Sequence, residues 1–254
     1  MLRGWLARGL APSRVVVVEP VAAALGDLAG GGIAHLIRGE DLPAGFRPDA
    51  VVLAVKPQMM DEAIKPCAAL VRPRVLFLSI AAGKTIAYFE RHLGQAAAIV
   101  RTMPNTPAAI GRGISVAVAN RNVAPDERDL ADRLLAACGE VAWVEDESLI
   151  DPVTAVSGGG PAYVFLLMET LAEAGRKAGL PADLAMRLAR VTVSGSGELA
   201  RLSSEPAAEL RRAVTSPKGT TLEALNILMA PEGLQPLFDR AIAAATRRSR
   251  ELAN

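Results

Sequence analysis

The sequence predicts an α/β fold, a parallel sheet domain followed by an all-helical domain, from three observations. Short runs of β-branched and aliphatic residues alternate with helical patterns over the first 150 or so residues. After that the strand-like runs stop and only helical patterns remain. A chain of 254 residues, 51% apolar, is long enough for two domains that each bury a core.

The strand candidates are VVVV at 15–18, VVLAV at 51–55, VLFLS at 75–79, AIVR at 98–101, SVAV at 115–118 and VAWV at 141–144. Each is continuous, too short for a helix, and of the kind buried on both faces of a parallel sheet. Helical spacing fills 59–71, 84–93 and 125–138, the last opened by Pro125 and acids in its first turn. Strands separated by helices imply right-handed crossovers. Beyond Asp151, helices are expected at 161–178, 181–202, 207–214, 220–229 and 233–252, with Pro161 and Pro181 at first helical positions. The division falls between a dinucleotide-binding domain at 1–152 and a helical domain at 153–254. The helix at 161–178 is apolar almost all round, its polar stripe confined to Glu169, Glu173 and Arg176. Such a helix is a buried one, and a five-helix domain offers little to bury it in. Either a partner subunit or a dense monomeric bundle supplies the cover, and an obligate homodimer is the preferred reading.

Charge and composition exclude several functions. A net charge of +1 with 22% charged residues gives no basic surface for nucleic acid. No apolar run reaches the ~18 to 20 residues of a membrane span, and no secretory leader is seen, so a soluble, cytoplasmic chain is expected. Cys67, Cys138, His35 and His92 have no ligand spacing, which argues against a structural metal site.

Open α/β sheets bind ligands at the carboxyl ends of their strands. Four loops there carry polar or small residues. Glu19 ends the strand at 15–18, where an acid can accept ribose hydroxyls or can simply be solvated. Lys56, in Ala54-Val55-Lys56-Pro57-Gln58, is placed to meet ribose or phosphate oxygens. Ser79-Ile80-Ala81-Ala82-Gly83 is small enough for a flat ring to approach. In RTMPNTP at 101–107, two prolines bracket Asn105 and Thr106 and present an amide and a hydroxyl. In the helical part, SGGGP at 157–161 follows no strand suited to a phosphate loop and lacks the Walker lysine. TSPKGTT at 215–221 puts backbone amides at a helix start, an anion site, with hydroxyls from Ser216, Thr220 and Thr221. No Ser-His-Asp, Cys-His or HExxH arrangement is present. A site without such groups suits a reaction that needs positioning and a hydrogen-bond donor more than a strong acid or base.

AVKPQ (54–58), RTMPNTP (101–107), SGGGPAY (157–163) and AVTSPKGTT (213–221), in that order, resemble pyrroline-5-carboxylate reductase, the last enzyme of proline biosynthesis. The likeness runs from Met1 nearly to the C-terminus. It implies a Rossmann-type domain and a helical domain that interlocks subunits as homodimers, often assembling further. It also implies reduction of an imine, 1-pyrroline-5-carboxylate, to L-proline by hydride from NADPH or NADH. By the same likeness Ala54, Val55, Lys56, Pro57, Ala81 and Ala82 face the cofactor, with Met103, Asn105 and Thr106 near its nicotinamide. Amides around Gly219 and Thr220 bind the substrate carboxylate, and Thr221 donates toward the ring nitrogen.

Two features depart from the family. Lys218 stands where many relatives have glycine; it can attract the carboxylate, but a left-handed conformation would strain it. The family's opening strand and glycine-rich turn have no counterpart, and the residues from Met1 match the helix after that turn, with Leu2, Trp5 and Leu6 on its buried face. The chain therefore reads as a shortened version of a longer product, expected to hold neither NADH nor NADPH tightly and to have a readily digested first domain. The competing readings are an inactive, folded dimeric protein and a β-hydroxyacid dehydrogenase-like reductase, for which only Lys177 offers a lysine on the long helix.

Overall fold

The computed structural model describes residues 1–253. The chain forms two compact units, one made of residues 1–158 together with the chain from Ala245 onward, the other of residues 159–244. The division falls later than the 152/153 boundary read from the sequence, and the last turns of the final helix belong to the first unit.

Among the described residues the first unit contains seven strands: β1 (Val16–Val18), β2 (Ala34–Leu36), β3 (Ala50–Leu53), β4 (Leu76–Ser79), β5 (Ala98–Met103), β6 (Gly113–Ala119) and β7 (Gly139–Trp143). β3 to β7 form one sheet in chain order, and β1 and β2 pair in parallel as a separate ribbon. β3, β4 and β5 are parallel. β6 runs antiparallel to β5 and parallel to β7, so the sheet is mixed rather than wholly parallel. The cause is the connection at 104–112. It holds only a 3₁₀ turn, Thr106–Ile110, ended by left-handed Gly111, and a parallel crossover needs a dozen residues or more.

The central strands are buried on both faces, as their continuous apolar runs require. Phe77 and Ile99 point into one core layer with Leu53, Met60, Ile64 and Phe89. Leu76, Leu78 and Val100 point into the other, with Ala117, Ala131 and Leu135. The helices α3 (Ile86–Leu93) and α4 (Pro125–Ala136) cover these faces. Thr85 caps α3 by accepting from the Tyr88 N–H, and the Glu127 carboxylate accepts from the Ala124 N–H at the start of α4.

Three expectations about this unit are corrected. β1 is not buried on both faces: Val16 and Val17 are half-buried and Val18 is 43% exposed, because among the described residues β1 bonds only to β2. The opening helix, α1 (Leu2–Ala7), has no fully buried residue. Leu2, Trp5 and Leu6 are half-buried, with Trp5 Nε1 donating to the Leu134 carbonyl at 2.7 Å. The segment 59–71 is not one helix. Pro66 lacks an N–H and its ring excludes the carbonyl four residues back, so only α2 (Met60–Ala63) is α-helical, flanked by 3₁₀ turns Pro57–Met59 and Lys65–Leu70.

After β7 come the single turn α5 (Ile150–Val153) and a π turn, Thr154–Gly158. The second unit holds α6 (Gly160–Lys177), α7 (Ala182–Leu202), α8 (Ala207–Ala213), α9 (Thr220–Leu228) and the first half of α10 (Leu234–Ala253). Pro161 lies in the first turn of α6, whereas Pro181 is one residue before α7, in extended conformation. α6 and α7 pack through small residues, with Ala172, Ala185 and Ala189 buried. The apolar face of α6 is not buried within the chain. Val164, Leu166, Leu167 and Leu171 are exposed, and Phe165 is 57% exposed. The dense monomeric bundle is therefore not what this sequence forms. Beside that face, Arg176 hydrogen-bonds Glu173 and holds its carboxyl down at about 2. No helix among the described residues is long and apolar enough to cross a membrane.

Candidate functional site

Parallel pairing in register brings three of the loops singled out in the sequence to one sheet edge. Leu53, Ser79 and Arg101 are neighbours across β3, β4 and β5. The residues that follow them therefore emerge side by side: Ala54 to Pro57, Ala81 and Ala82, and Met103 to Thr106. Ala54, Lys56, Ala82 and Thr106 are exposed, Val55, Pro57, Met103 and Asn105 are half-buried, and Ala81 is buried. Glu19 is not joined to this row by strand pairing, since β1 belongs to the separate ribbon. Its Oε1 accepts from the Val21 N–H at 2.9 Å, and its carbonyl lies 2.8 Å from His35 Nε2.

The loops are held by hydrogen bonds that sequence reasoning did not foresee. Ser79 Oγ accepts from the Ala81 N–H at 3.2 Å, and Thr102 Oγ1 donates to the Ser79 carbonyl at 3.1 Å. The Asn105 amide works inside its own loop. Oδ1 accepts from the Ile114 N–H at 3.0 Å, and Nδ2 donates to Ser157 Oγ at 3.2 Å. Each of those atoms keeps one further hydrogen-bonding position, but the side chain's orientation is set by the fold. The same junction explains Gly158: a Cβ there would collide with the Met103 methyl. Two of the sequence motifs, at 101–107 and 157–163, thus meet through Asn105–Ser157 and Met103–Gly158. Behind the loops, the Tyr88 hydroxyl donates to Asp61 Oδ1 at 2.5 Å, and Lys84 Nζ lies 3.3 Å from the same oxygen. Tyr88's hydrogen bond, then Lys84, hold the Asp61 carboxyl below the usual carboxylate range, while burial, then Asp61, push the Tyr88 hydroxyl up.

The chemistry of this edge suits a nucleotide. Alanines at two strand ends, Ala54 after β3 and Ala81 and Ala82 after β4, leave the backbone approachable by a flat ring, and Lys56 is an exposed cation that makes no ion pair among the described residues.

In the second unit, residues 215–221 build a compact turn. The Gly219 N–H donates to the Ser216 carbonyl at 3.1 Å. Pro217 precedes Lys218, whose φ is 61°, the signature of a type II turn with a side chain where glycine is usual. The strain foreseen at Lys218 is therefore present. A Cβ on Gly219 would crowd Ser216 Oγ, so that hydroxyl would have to turn away. It is the N-cap of α9, with no side-chain cap beneath it. Thr220 and Thr221 form the first turn, both exposed, so amides with no intrahelical partner face outward beside two hydroxyls. Thr215 Oγ1 is spent on the Arg211 carbonyl at 2.7 Å.

Comparison with known proteins points one way. Residues 147–252 match the family model described as pyrroline-5-carboxylate reductase dimerisation. A pyrroline-5-carboxylate reductase of Pseudomonas aeruginosa is 41% identical over 253 residues, covering 100% of this chain and 92% of the relative. The solved pyrroline-5-carboxylate reductase of Coxiella burnetii superposes with a TM-score of 0.92 at 35% identity, covering 100% of this chain and 93% of that one. The Plasmodium falciparum pyrroline carboxylate reductase, solved with NADP bound, superposes at 0.81 with 27% identity, over 99% of this chain and 92% of that one.

Proposed function

The chain belongs to the pyrroline-5-carboxylate reductase family, and from that premise we propose how its two units divide the reduction of 1-pyrroline-5-carboxylate to L-proline. A reduced nicotinamide cofactor, NADPH or NADH, supplies hydride to C5 of the imine when bound, and the ring nitrogen gains a proton. The sheet edge carries the cofactor: Ala54, Val55, Lys56 and Pro57 at the first strand end, Ala81 and Ala82 at the second, Met103, Asn105 and Thr106 at the third. Lys56 meets ribose or phosphate oxygens there. Glu19 accepts ribose hydroxyls from the ribbon, at the end of a strand as this role requires.

The turn before α9 carries the imine. The Gly219 amide closes the turn, and the outward amides that follow it, at Thr220 and Thr221, bind its carboxylate at the positive end of the helix. Ser216 offers a hydroxyl, and Lys218 adds a full charge. Thr221 donates its hydroxyl to the ring nitrogen and so orients C5 for attack. No strong acid or base is required of the chain, because the imine is already electrophilic.

Homodimerisation through the helical unit is part of the same reading. It is supported by the exposed Val164, Phe165, Leu166, Leu167 and Leu171 on α6, an apolar surface of the kind that marks a protein interface. A cytoplasmic setting follows from the biosynthetic role.

The observation that carries the functional reading is the likeness to reductases along the entire chain. Absorbance of the reduced cofactor, followed with 1-pyrroline-5-carboxylate as substrate, tests it. Consumption of cofactor matched by L-proline is the expected result. A chain inert toward the imine that oxidises a 3-hydroxy acid in reverse would overturn it.

A further inference from the structure

One carboxylate ties together the loops that end β4 and β5. Glu147, in the 3₁₀ turn Glu147–Leu149 before α5, accepts through Oε1 from the Arg101 guanidinium at 2.7 Å and from the Ile86 N–H at 2.8 Å. Arg101 lies on β5 two residues before Met103. Ile86 is the first residue of α3 and follows Ser79-Ile80-Ala81-Ala82-Gly83 with only Lys84 and Thr85 between. Three segments far apart in sequence therefore converge on one oxygen.

The arrangement is more than a surface ion pair. The Arg101 side chain is 4% exposed and that of Glu147 is 30% exposed. A guanidinium cannot shed its charge when buried, so removing its counter-charge leaves an uncompensated cation beneath the loops. For stability alone, a well-packed apolar pair would serve as well. What the ion pair adds is direction. A single oxygen receiving two donors fixes the start of α3 against the end of β5, and hence the spacing between the Ala81–Ala82 loop and the Met103–Thr106 loop.

We propose that Glu147 is a positioning residue for the nicotinamide cofactor, acting through Arg101 and the start of α3. The inference rests on the assignment of these loops to the cofactor made above. Glu147 touches neither reactant in this account. Its effect appears as a cofactor-specific loss of affinity, because displacing loops by a fraction of their contact distance costs binding at the group they flank.

The test measures the dissociation constant for NADPH and NADH by nicotinamide fluorescence in the full chain, the KM for the imine, and the melting temperature. Glu147→Ala is expected to weaken cofactor binding about tenfold while the imine KM stays within about twofold. Glu147→Gln keeps a neutral acceptor and should fall between wild type and alanine. It also serves if the alanine variant does not fold. Glu147→Ala combined with Arg101→Met removes the orphaned cation and should regain part of the loss, a coupling that a double-mutant cycle reads. Cofactor affinity unchanged in folded Glu147→Ala or Glu147→Gln, in a wild type that binds cofactor and reduces the imine, overturns the inference and spares the assignment of the loops. Parallel losses of cofactor and imine affinity would overturn it too, since they report general loosening. A wild type that neither binds cofactor nor reduces the imine would bring down the assignment and the inference together.

Discussion

The two units bury their apolar residues in different ways. In the sheet unit Phe77, Leu76, Leu78, Ile99 and Val100 are enclosed by helices of the same chain. In the helical unit the apolar face of α6 is open to solvent within the chain, and the buried residues are small ones such as Ala172. The contrast teaches that the first unit encloses its own core, while the second leaves large apolar residues open within the single chain. In the proposed reading a second copy covers them.

The largest expected effect breaks the first half of this contrast. Phe77→Ala opens a cavity between sheet and α3 and should cost about 3 to 5 kcal/mol, a large share of a net stability of roughly 5 to 15. Denaturant unfolding should show that loss at every protein concentration. Phe165→Glu should behave otherwise. Size-exclusion chromatography with light scattering should show monomer where wild type is dimer, and wild-type melting should depend on concentration where the variant's does not. A Phe165→Glu protein that remains dimeric would place the interface elsewhere.

Smaller effects sharpen the comparison at the ligand loops. Lys218→Gly releases a side chain from a left-handed conformation that costs on the order of 1 kcal/mol, so the melting temperature should rise slightly. If the lysine also attracts the carboxylate, the imine KM should rise with it. A change in the cofactor constant instead would argue against a substrate role for this turn. Smaller still is the effect at Glu19. Its carboxylate would repel a 2′-phosphate, so NADH should be preferred, and Glu19→Ala should shift the ratio of kcat/KM toward NADPH. A wild-type preference for NADPH would mean that Glu19 does not meet the ribose.

How much of this was legible in the sequence depended on the range of the interaction. β4, β5 and β6 announced themselves because burial on both faces leaves a continuous apolar run. β2 did not: Ala34-His35-Leu36 is too short and too mixed to carry a pattern. The segment 59–71 had helical spacing, but Pro66 decided its backbone. β6 was readable as a strand, yet its antiparallel direction depended on the length of the connection before it. At the site, the loops were legible as motifs, because prolines and glycines punctuate them. Their internal wiring was not. Glu147 lies 46 residues from Arg101 and 61 from Ile86, and only an arginine at the end of an apolar strand hinted that a buried partner must exist. Asn105 reads as a ligand group, and its amide has the further task of holding the loop to Ser157 and Ile114. Lys218 went the other way, since its unusual place in a glycine-like position was visible in the sequence and its φ of 61° bears out the strain.

The division of labour between the two units is tested most directly at Thr221, by measuring the NADPH and NADH dissociation constants together with kcat and kcat/KM in Thr221→Ala and Thr221→Ser. If the hydroxyl holds the imine nitrogen, alanine should lower kcat and kcat/KM together, by about a hundredfold for loss of one aimed donor. Cofactor affinity should remain at the wild-type value, and serine should keep much of the rate. Alanine indistinguishable from wild type, or a loss of cofactor affinity in step with the rate, would contradict the account.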